Sequence, residues 1–352
     1  MKNIDLEQKI RESLLQLLGR VPVVHDLEYI LDESESGADF TIDVVTDHQT
    51  FRLVVGVRNN GQPRYARETV ALLKMQSSGP PDNIYPVFAA PFISKAAAEI
   101  CLEAGAGCID LVGNCRLAFN GIYIEQQGRP NRFVSKRSLR SLYETRSSRV
   151  LRALLFDPAL RWKLTDLSEA AGVSIGQVYN VKKALIDREW ALVDKDGLSL
   201  TQPAQILRDW GNHYTLDKNT LFGFHTTESP ADVENSLARA FSKLGLRYAL
   251  TSFSASVRLA SNGQYSHVYA YGDGDVQRAA DLAKLEASNS TPNVTLMLPH
   301  DEGVFFGMKQ MEGAIVVSPI QAYLDLVGLE AEGAEAAENL FSQVIEKEWP
   351  PA

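Results

Sequence analysis

The chain has few of the residues that build metal centres and disulfides, and it lacks a long apolar run. Its 352 residues include three cysteines, Cys101, Cys108 and Cys115, and none of its six histidines is near them in the sequence. Three thiols leave a four-ligand zinc site incomplete, so we expect reduced cysteines in the core and neither a metal nor a cofactor. No stretch approaches the roughly 18 apolar residues of a membrane-spanning helix.

The amino terminus does not have the pattern of a secretion signal. Its first 20 residues, MKNIDLEQKIRESLLQLLGR, place leucine and isoleucine on one helical face and charges on the other. We therefore expect an amphipathic helix and a cytoplasmic protein. No internal repeat or long low-complexity tract is present, and the length predicts two or three domains.

Charge is distributed unevenly along the chain. The net charge is −9, yet residues 129–190 contain 13 Lys and Arg against 6 Asp and Glu. An evenly acidic protein is a poor partner for nucleic acid, whereas a local basic stretch can contact phosphates. Nucleic-acid binding is therefore an option for the middle of the chain.

Four segments of different character predict a multidomain protein of mixed α/β (α+β) class. Residues 1–128 alternate short apolar strands with helices, which favours an α/β module. Its predicted elements include strands over Thr50–Val57 and Ile84–Ala90 and a helix over Lys95–Glu103. Residues 129–149 have seven basic residues and one acidic residue, and we expect a basic linker or helix there. Residues 150–210 predict a winged helix-turn-helix, and residues 211–352 a second, acidic α/β module. In this last module Val304–Phe306 is predicted to be a strand.

The winged-helix prediction comes from the order of elements within 150–210. A helix over 164–171 is followed by Gly172-Val173-Ser174, a tight turn that can cap a third helix over 175–188. The sequence WALVDKDGLSLT then alternates around Asp196-Gly197, which is typical of a β-hairpin. Helix, helix, turn, helix and hairpin is the winged-helix order.

The third helix contains the candidate DNA-binding residues. With Val178, Val181 and Leu185 facing inward, polar side chains face outward and can reach base edges and phosphates. Upstream arginines would add a phosphate footprint, and Lys195 is the only base on the wing. The alternative is a winged helix that docks a protein. The predicted DNA contacts are Ser174, Gln177, Tyr179, Asn180, Lys182, Lys183, Lys195, Arg137, Arg140, Arg146 and Arg149.

The amino-terminal strand pair resembles the core of restriction-endonuclease-like nucleases. In such cores an Asp on one strand and a Glu-x-Lys on the next hold Mg²⁺ and position the attacking water. Here Asp39, or Asp43 in a shifted register, matches the first carboxylate, but Gly56 and Arg58 occupy the Glu and Lys positions. One carboxylate is a poor magnesium site, and arginine is too basic to accept a proton from water. We therefore expect a degenerate site and no catalysis, with a Mg²⁺-dependent nuclease as the alternative.

A second resemblance covers most of the chain. The segment YPVFAAPFISKAAAEICLEAGAGCIDLVGNCRL (85–117), above all IDLVGN (109–114), resembles a passage of AbiEi-type antitoxins and related winged-helix regulators. YALTSFSASVRLA (248–260), LPHDEGVF (298–305) and VVSPIQAYLDL (316–326) are similar to the carboxy-terminal domain of that group.

The resemblance implies a repressor that binds double-stranded operator DNA, often beside a nucleotidyltransferase-like toxin. A homodimer is expected because operators of such proteins are usually two-fold. One departure is Thr251-Ser252, where the family often has Thr-Gly.

Two further interpretations concern the carboxy-terminal segment. Asp273 and Asp275 could suggest a nucleotidyltransferase, but their flanking glycines favour a loop over a two-metal strand. An effector pocket or a dimer interface is a second option, with Tyr265, Tyr269, Tyr271, Phe305 and Phe306 as lining residues. Aromatic residues on strands are usually core, and no set of residues selects a ligand.

Overall fold

The computed structural model describes residues 3–31, 38–47, 49–76, 83–133, 142–260, 263–288 and 290–349. The protein is a mixed α/β protein, as predicted. Its chain forms two compact units, which we call unit 1 (residues 1–138 with 186–189) and unit 2 (residues 139–185 with 190–352). Within the described ranges, every helix is too short or too polar to cross a bilayer.

Unit 1 contains a seven-stranded sheet whose strands follow one another in chain order. Strands β3, β4 and β5 are parallel, and the other neighbouring pairs are antiparallel. Its strands are β1 (Val24–Leu31), β2 (Phe40–Thr46), β3 (Thr50–Val57), β4 (Ile84–Ala90), β5 (Gly107–Asp110), β6 (Cys115–Phe119) and β7 (Ile122–Gln126). Its helices are α1 (Asn3–Leu18), α2 (Pro63–Gln76) and α3 (Lys95–Glu103).

The helices of unit 1 cover both faces of this sheet because the central strands are apolar on both sides. Val87 and Ala89 of β4 belong to the hydrophobic cluster that contains α1, whereas Phe88 and Ala90 belong to the cluster with α2 and α3. Alternate residues of a strand point to opposite faces, so one strand supplies two cores. All three cysteines are buried and free, as expected.

Unit 2 begins with three helices and a two-stranded hairpin. These are α4 (Thr145–Phe156), α5 (Leu164–Ala171), α6 (Ile175–Asp187), β8 (Ala191–Val193) and β9 (Leu198–Leu200). The hairpin around Asp196-Gly197 is confirmed, with Ala191 paired to Leu200. α7 (Pro203–Gly211) follows and leads into the second sheet.

The second sheet of unit 2 has the strand order β13-β10-β14-β12-β11-β16-β15. Its strands are β10 (Thr220–His225), β11 (Tyr248–Leu250), β12 (Val268–Gly272), β13 (Glu286–Ala287), β14 (Val294–Leu298), β15 (Lys309–Met311) and β16 (Ala314–Val316). Its helices are α8 (Pro230–Leu244), α9 (Ser252–Ala260), α10 (Val276–Leu282), α11 (Pro319–Val327) and α12 (Ala334–Leu340).

One hydrophobic core joins the winged-helix segment to this sheet, because a single cluster runs from Leu142 to Trp349. The boundaries predicted at 128, 149 and 210 stay predictions. The two compact units divide between residues 138 and 139, and α4 begins at Thr145, before the predicted boundary at 149.

One predicted element of unit 2 is wrong. Val304–Phe306 was expected to be a strand, but Glu302–Phe305 forms a 3-10 turn. Asp301 caps this turn, since its Oδ1 accepts from Gly303 N–H at 2.8 Å. Local capping therefore prevails over the β propensity of valine and phenylalanine. In the GDGD stretch Gly272 ends β12, and Asp273-Gly274-Asp275 forms a loop as expected, with Asp275 as the cap of α10.

Candidate functional site

A glycine turn and a serine cap fix the start of α6. α5 ends at Gly172, whose φ of +60° and ψ of +40° lie in the left-handed region that glycine adopts without strain. Gly172 N–H donates to Glu169 C=O, and Val173 N–H donates to Ser168 C=O. Ser174 Oγ then accepts from Gln177 N–H at 3.3 Å, which satisfies one free donor of the new helix. The predicted turn and cap are confirmed.

One face of α6 is buried, and the opposite face is open to solvent. Val178, Val181 and Leu185 are buried in the core, as the spacing predicts. Ser174, Tyr179, Asn180 and Lys183 are exposed, and Lys182 is half-buried with its ammonium 4.9 Å from the centre of the Tyr179 ring. The structure therefore brings five of the predicted DNA contacts onto one helix surface.

Gln177 differs from its neighbours because it already has a side-chain partner. Its Nε2 donates to Ser147 Oγ of α4 at 2.7 Å, and the residue is half-buried. Recognition of adenine uses both the amide oxygen and the amide nitrogen of the side chain. Contact between Gln177 and a base would therefore require its hydrogen bond to Ser147 to break. Asn180 is the better-placed amide of the two.

The wing carries a single basic residue near acidic ones. Lys195 is exposed in the turn of the hairpin, next to Asp194 and Asp196. Arg161 forms an ion pair with Asp194, and backbone hydrogen bonds from Asp196 lower the pKa of the Asp194 carboxyl. The wing also has a contact that the sequence does not suggest, because Trp162 forms an isolated antiparallel β-bridge with Leu198 of β9.

The upstream arginines divide into different environments. Arg146 is exposed on the first turn of α4. Arg149 is half-buried, with Nε and Nη2 2.6–3.0 Å from the Asp301 carboxylate and Nη1 3.2 Å from Glu302. The hydrogen bonds to Asp301 raise the pKa of Arg149, so two acids already balance its charge. Arg137 and Arg140 lie outside the described residues.

An open cleft of about 780 Å³ lies beside the start of α6. Arg146, Arg149 and Ser174 line it together with residues of α5 and with His300 and Asp301. Predicted DNA contacts from α4 and from the start of α6 therefore meet at one surface. Asp301 adds an acidic group to this surface that was not predicted from the sequence.

In unit 1, each predicted nuclease carboxylate is paired with an arginine. Asp39 Oδ2 accepts from Arg58 Nη1 at 3.0 Å and from Val57 N–H at 2.7 Å. Asp43 lies opposite Arg52 in the β2–β3 register and accepts from its Nε and Nη2 at 2.7 and 2.6 Å.

Two acids that could supplement this pair have different positions. Glu68 pairs with Arg64 on the exposed side of α2. Glu7 of α1 was not anticipated, but the Asp39 charge adds to burial in raising the pKa of Glu7, so the two carboxyls interact. Among the described residues, no three potential ligands from His, Cys, Asp and Glu cluster as a metal site would require.

The IDLVGN motif forms a turn around a buried carboxylate. Asp110 is fully buried and accepts from the N–H groups of Ile93, Val112 and Asn114 and from Asn114 Nδ2, at 2.8–3.2 Å. Asn114 Oδ1 in turn accepts from Arg129 N–H at 2.8 Å. The residues that carry the resemblance therefore have structural partners here, and none of these contacts forms an open site.

A buried polar network in unit 2 was missed by sequence reasoning. Asp325 of α11 is fully buried and accepts from Thr251, Tyr214, Tyr271 and Gln321. Burial raises the pKa of Tyr214, Tyr271 and Asp325, and both phenols donate to the Asp325 carboxyl group. A charged residue in the apolar run of α11 was the available signal.

No family model, no curated protein and no solved structure matches the chain.

Proposed function

We propose that the protein binds double-stranded DNA through the outward face of α6 and acts as a transcriptional repressor. The observation that carries the proposal is the exposure of Ser174, Asn180 and Lys183 on a helix whose other face is buried. A third helix of this kind enters the major groove, where an amide can read adenine and a lysine can neutralise phosphate.

The basic residues near α6 differ in how readily they could contact a DNA phosphate. Arg146 is exposed beside the start of α6 and is free to approach a phosphate, whereas Arg149 would have to leave Asp301 and Glu302. Phosphate contacts position a protein on DNA without reading its sequence. We therefore assign positioning to Arg146 and Lys183 and sequence reading to Asn180.

The experiment selects bound sequences from a pool of random duplexes and then measures affinity by fluorescence anisotropy at two salt concentrations. Asn180→Ala should lose about 1–3 kcal/mol of discrimination at one position of the selected site. Arg146→Ala should weaken binding to all duplexes alike and reduce the salt dependence. Lys243→Ala, an exposed lysine on α8, is the matched control and should change neither property.

Two outcomes would contradict the proposal. One is a pool that gains no preferred sequence, or binding that survives the combined Asn180→Ala and Lys183→Ala changes. The other is Mg²⁺-dependent cleavage of plasmid DNA that Asp39→Ala abolishes, which would favour the nuclease alternative.

The finer class, an antitoxin that represses its own operon, rests on the sequence resemblance. Its partner would be a nucleotidyltransferase-like toxin encoded by a neighbouring gene, and a homodimer would match a two-fold operator. Co-expression with the adjacent open reading frame tests this class. Growth arrest by the neighbour alone and relief by this protein are the expected results, and a neighbour that leaves growth unchanged contradicts it.

A further inference from the structure

A small cavity in unit 2 contains a buried arginine that lacks a full set of partners. The cavity measures about 50 Å³, and Arg152 of α4 lines it together with Ser148, Trp210 and Asn219. Arg152 is 5% exposed, and its Nη1 is buried with no hydrogen-bond partner among the described residues. A buried cation in this state is costly unless an anion completes its surroundings.

The partners that Arg152 does have are neutral. Its Nε and Nη2 donate to Gln321 Oε1 at 3.1 and 2.5 Å, and its guanidinium carbon lies 4.9 Å from the centre of the Trp210 ring. The network's carboxylate, Asp325, is reached only through Gln321, whose Nε2 donates to it at 2.8 Å. No carboxylate in the described residues forms a direct ion pair with Arg152.

Two cations, Arg152 and Lys218, and one carboxylate, Asp301, line the cavity, which leaves a positive balance. Lys218 lines the wall, and among the described residues its ammonium pairs with one acid, Glu144, at 4.0 Å. Asp301 also lines the cavity, but both of its carboxylate oxygens are bonded to Arg149. The exposed residues His213 and His300 complete the solvent side of the lining.

The size of the cavity limits what can enter. A cavity needs roughly 10–15 Å³ to hold one water, so this volume suits a few waters or one compact oxyanion group. Ser148 and Asn219 add polar side chains beside the cations. Ser148 Oγ already donates to Thr145 C=O, so the donors for an oxyanion are the arginine fork, the lysine ammonium and the amide of Asn219. An arginine fork matches phosphate or carboxylate geometry.

We propose that this cavity binds the phosphate or carboxylate group of a small effector, with Arg152 as its main anchor and Lys218 as its second cation. The anion supplies Nη1 of Arg152 with the partner that the chain does not provide. The bound group would touch α4, the first helix of the winged-helix segment, as well as the sheet part of unit 2. Direct binding does not depend on the proposed DNA function, so the two proposals can fail separately.

The test measures thermal unfolding and isothermal titration of the full chain with sodium phosphate, sodium acetate and sodium chloride at equal ionic strength. A saturable shift with phosphate alone identifies a phosphate site, and one with acetate alone identifies a carboxylate site. A shift with both supports a general oxyanion site. Phosphate and acetate effects no larger than that of chloride would overturn the proposal.

Three variants locate the site. Arg152→Met should weaken anion binding about tenfold or more, and Lys218→Met about three- to tenfold, as expected for charged hydrogen bonds lost at 1.4 kcal/mol per tenfold. Thr145→Met fills the cavity from its half-buried edge without changing charge, and it should abolish binding. Lys243→Met on α8 is the control and should bind like the unmodified chain.

The variants also guard against a folding artefact. Circular dichroism must show that each variant is folded before its titration is interpreted. If Arg152→Met does not fold, Lys218→Met and Thr145→Met decide the question. Wild-type affinity in both of these folded variants would place the anion elsewhere and refute the assignment.

Discussion

Two arginines, one in each unit, differ in how the chain balances their charge. Arg58 of unit 1 lies at the rim of the sheet with 30% of its side chain exposed, and it pairs directly with Asp39. Arg152 of unit 2 is buried and has Gln321 as its hydrogen-bond acceptor, and its Nη1 finds no partner among the residues that the structure describes. The first charge is balanced by the chain, and the second is balanced incompletely.

The difference separates a structural ion pair from a site that can accept a ligand. At the rim, water shares the solvation of Arg58 and Asp39, so the pair adds little free energy to folding. In the interior each polar atom depends on a protein partner or a bound molecule. Breaking the buried network should therefore cost much more than breaking the rim pair.

The largest effect is expected from Asp325→Ala. This change removes the acceptor shared by Thr251, Tyr214, Tyr271 and Gln321 and leaves buried donors unsatisfied. We expect the free energy of unfolding of unit 2 to fall by about 3–5 kcal/mol. All four tryptophans of the chain lie in unit 2, so urea unfolding followed by tryptophan fluorescence measures that unit alone.

Asp39→Ala is the matched change in unit 1. It removes one partly buried ion pair and the hydrogen bond that Val57 N–H donates to Asp39, and we expect the free energy of unfolding to fall by about 1 kcal/mol. Circular dichroism follows this loss, and the tryptophan transition should stay in place. A loss at Asp39 equal to that at Asp325 would show that burial does not distinguish the two sites.

Ser252→Gly should have a smaller effect of opposite sign. Ser252 follows Thr251, which donates to Asp325, and it is fully buried with a φ of +49°. Its Oγ has no hydrogen-bond partner in the part of the chain that the structure describes. Glycine relieves the left-handed strain and removes the unpartnered hydroxyl. We expect a gain of about 1 kcal/mol in the tryptophan-monitored transition.

Ser252→Ala separates the two contributions. Alanine removes the hydroxyl but keeps the side chain that strains the backbone, so its gain should be smaller than that of glycine. Glycine that destabilises unit 2 would contradict the strain interpretation and point to an unrecognised contact of Ser252.

Sequence patterns predicted elements best where one local signal dominates. Thr50–Val57, Ile84–Ala90 and Lys95–Glu103 were predicted with the observed bounds because apolar runs or helix formers end at clear turn residues. β1 was missed because Asp26 and Glu28 interrupt its apolar pattern. α9 was missed because its serines and phenylalanine have low helix propensity, and packing in unit 2 prevails over that preference.

The candidate sites show the same limit. The buried face of α6 follows from spacing within one helix, so Val178 and Leu185 were predicted correctly. Arg152 could not be assigned a role, because its acceptor Gln321 is 169 residues away in the chain. The Arg149–Asp301 pair spans a similar distance, and only the folded chain shows that a predicted phosphate contact already has an acidic partner.

The smallest expected effect concerns His267, which lies on the same face of the β12 segment as Tyr271 but is only half-buried. Its ring stacks on Tyr269 at 4.2 Å, and its Nε2 lies 2.8 Å from Thr295 Oγ1. Burial lowers the pKa of His267 from 6.5, and Glu332 partly opposes the shift.

Below pH 6.5 the unfolded chain therefore takes up a proton at His267 that the folded chain resists, so unit 2 should lose stability as the pH falls from 7.5 to 5. His267→Gln should flatten this pH dependence in tryptophan-monitored urea unfolding, and His225→Gln, an exposed control on β10, should keep it. If the free energy of unfolding changes equally with pH in both variants, the half-buried His267, unlike Asp325, does not affect the stability of unit 2.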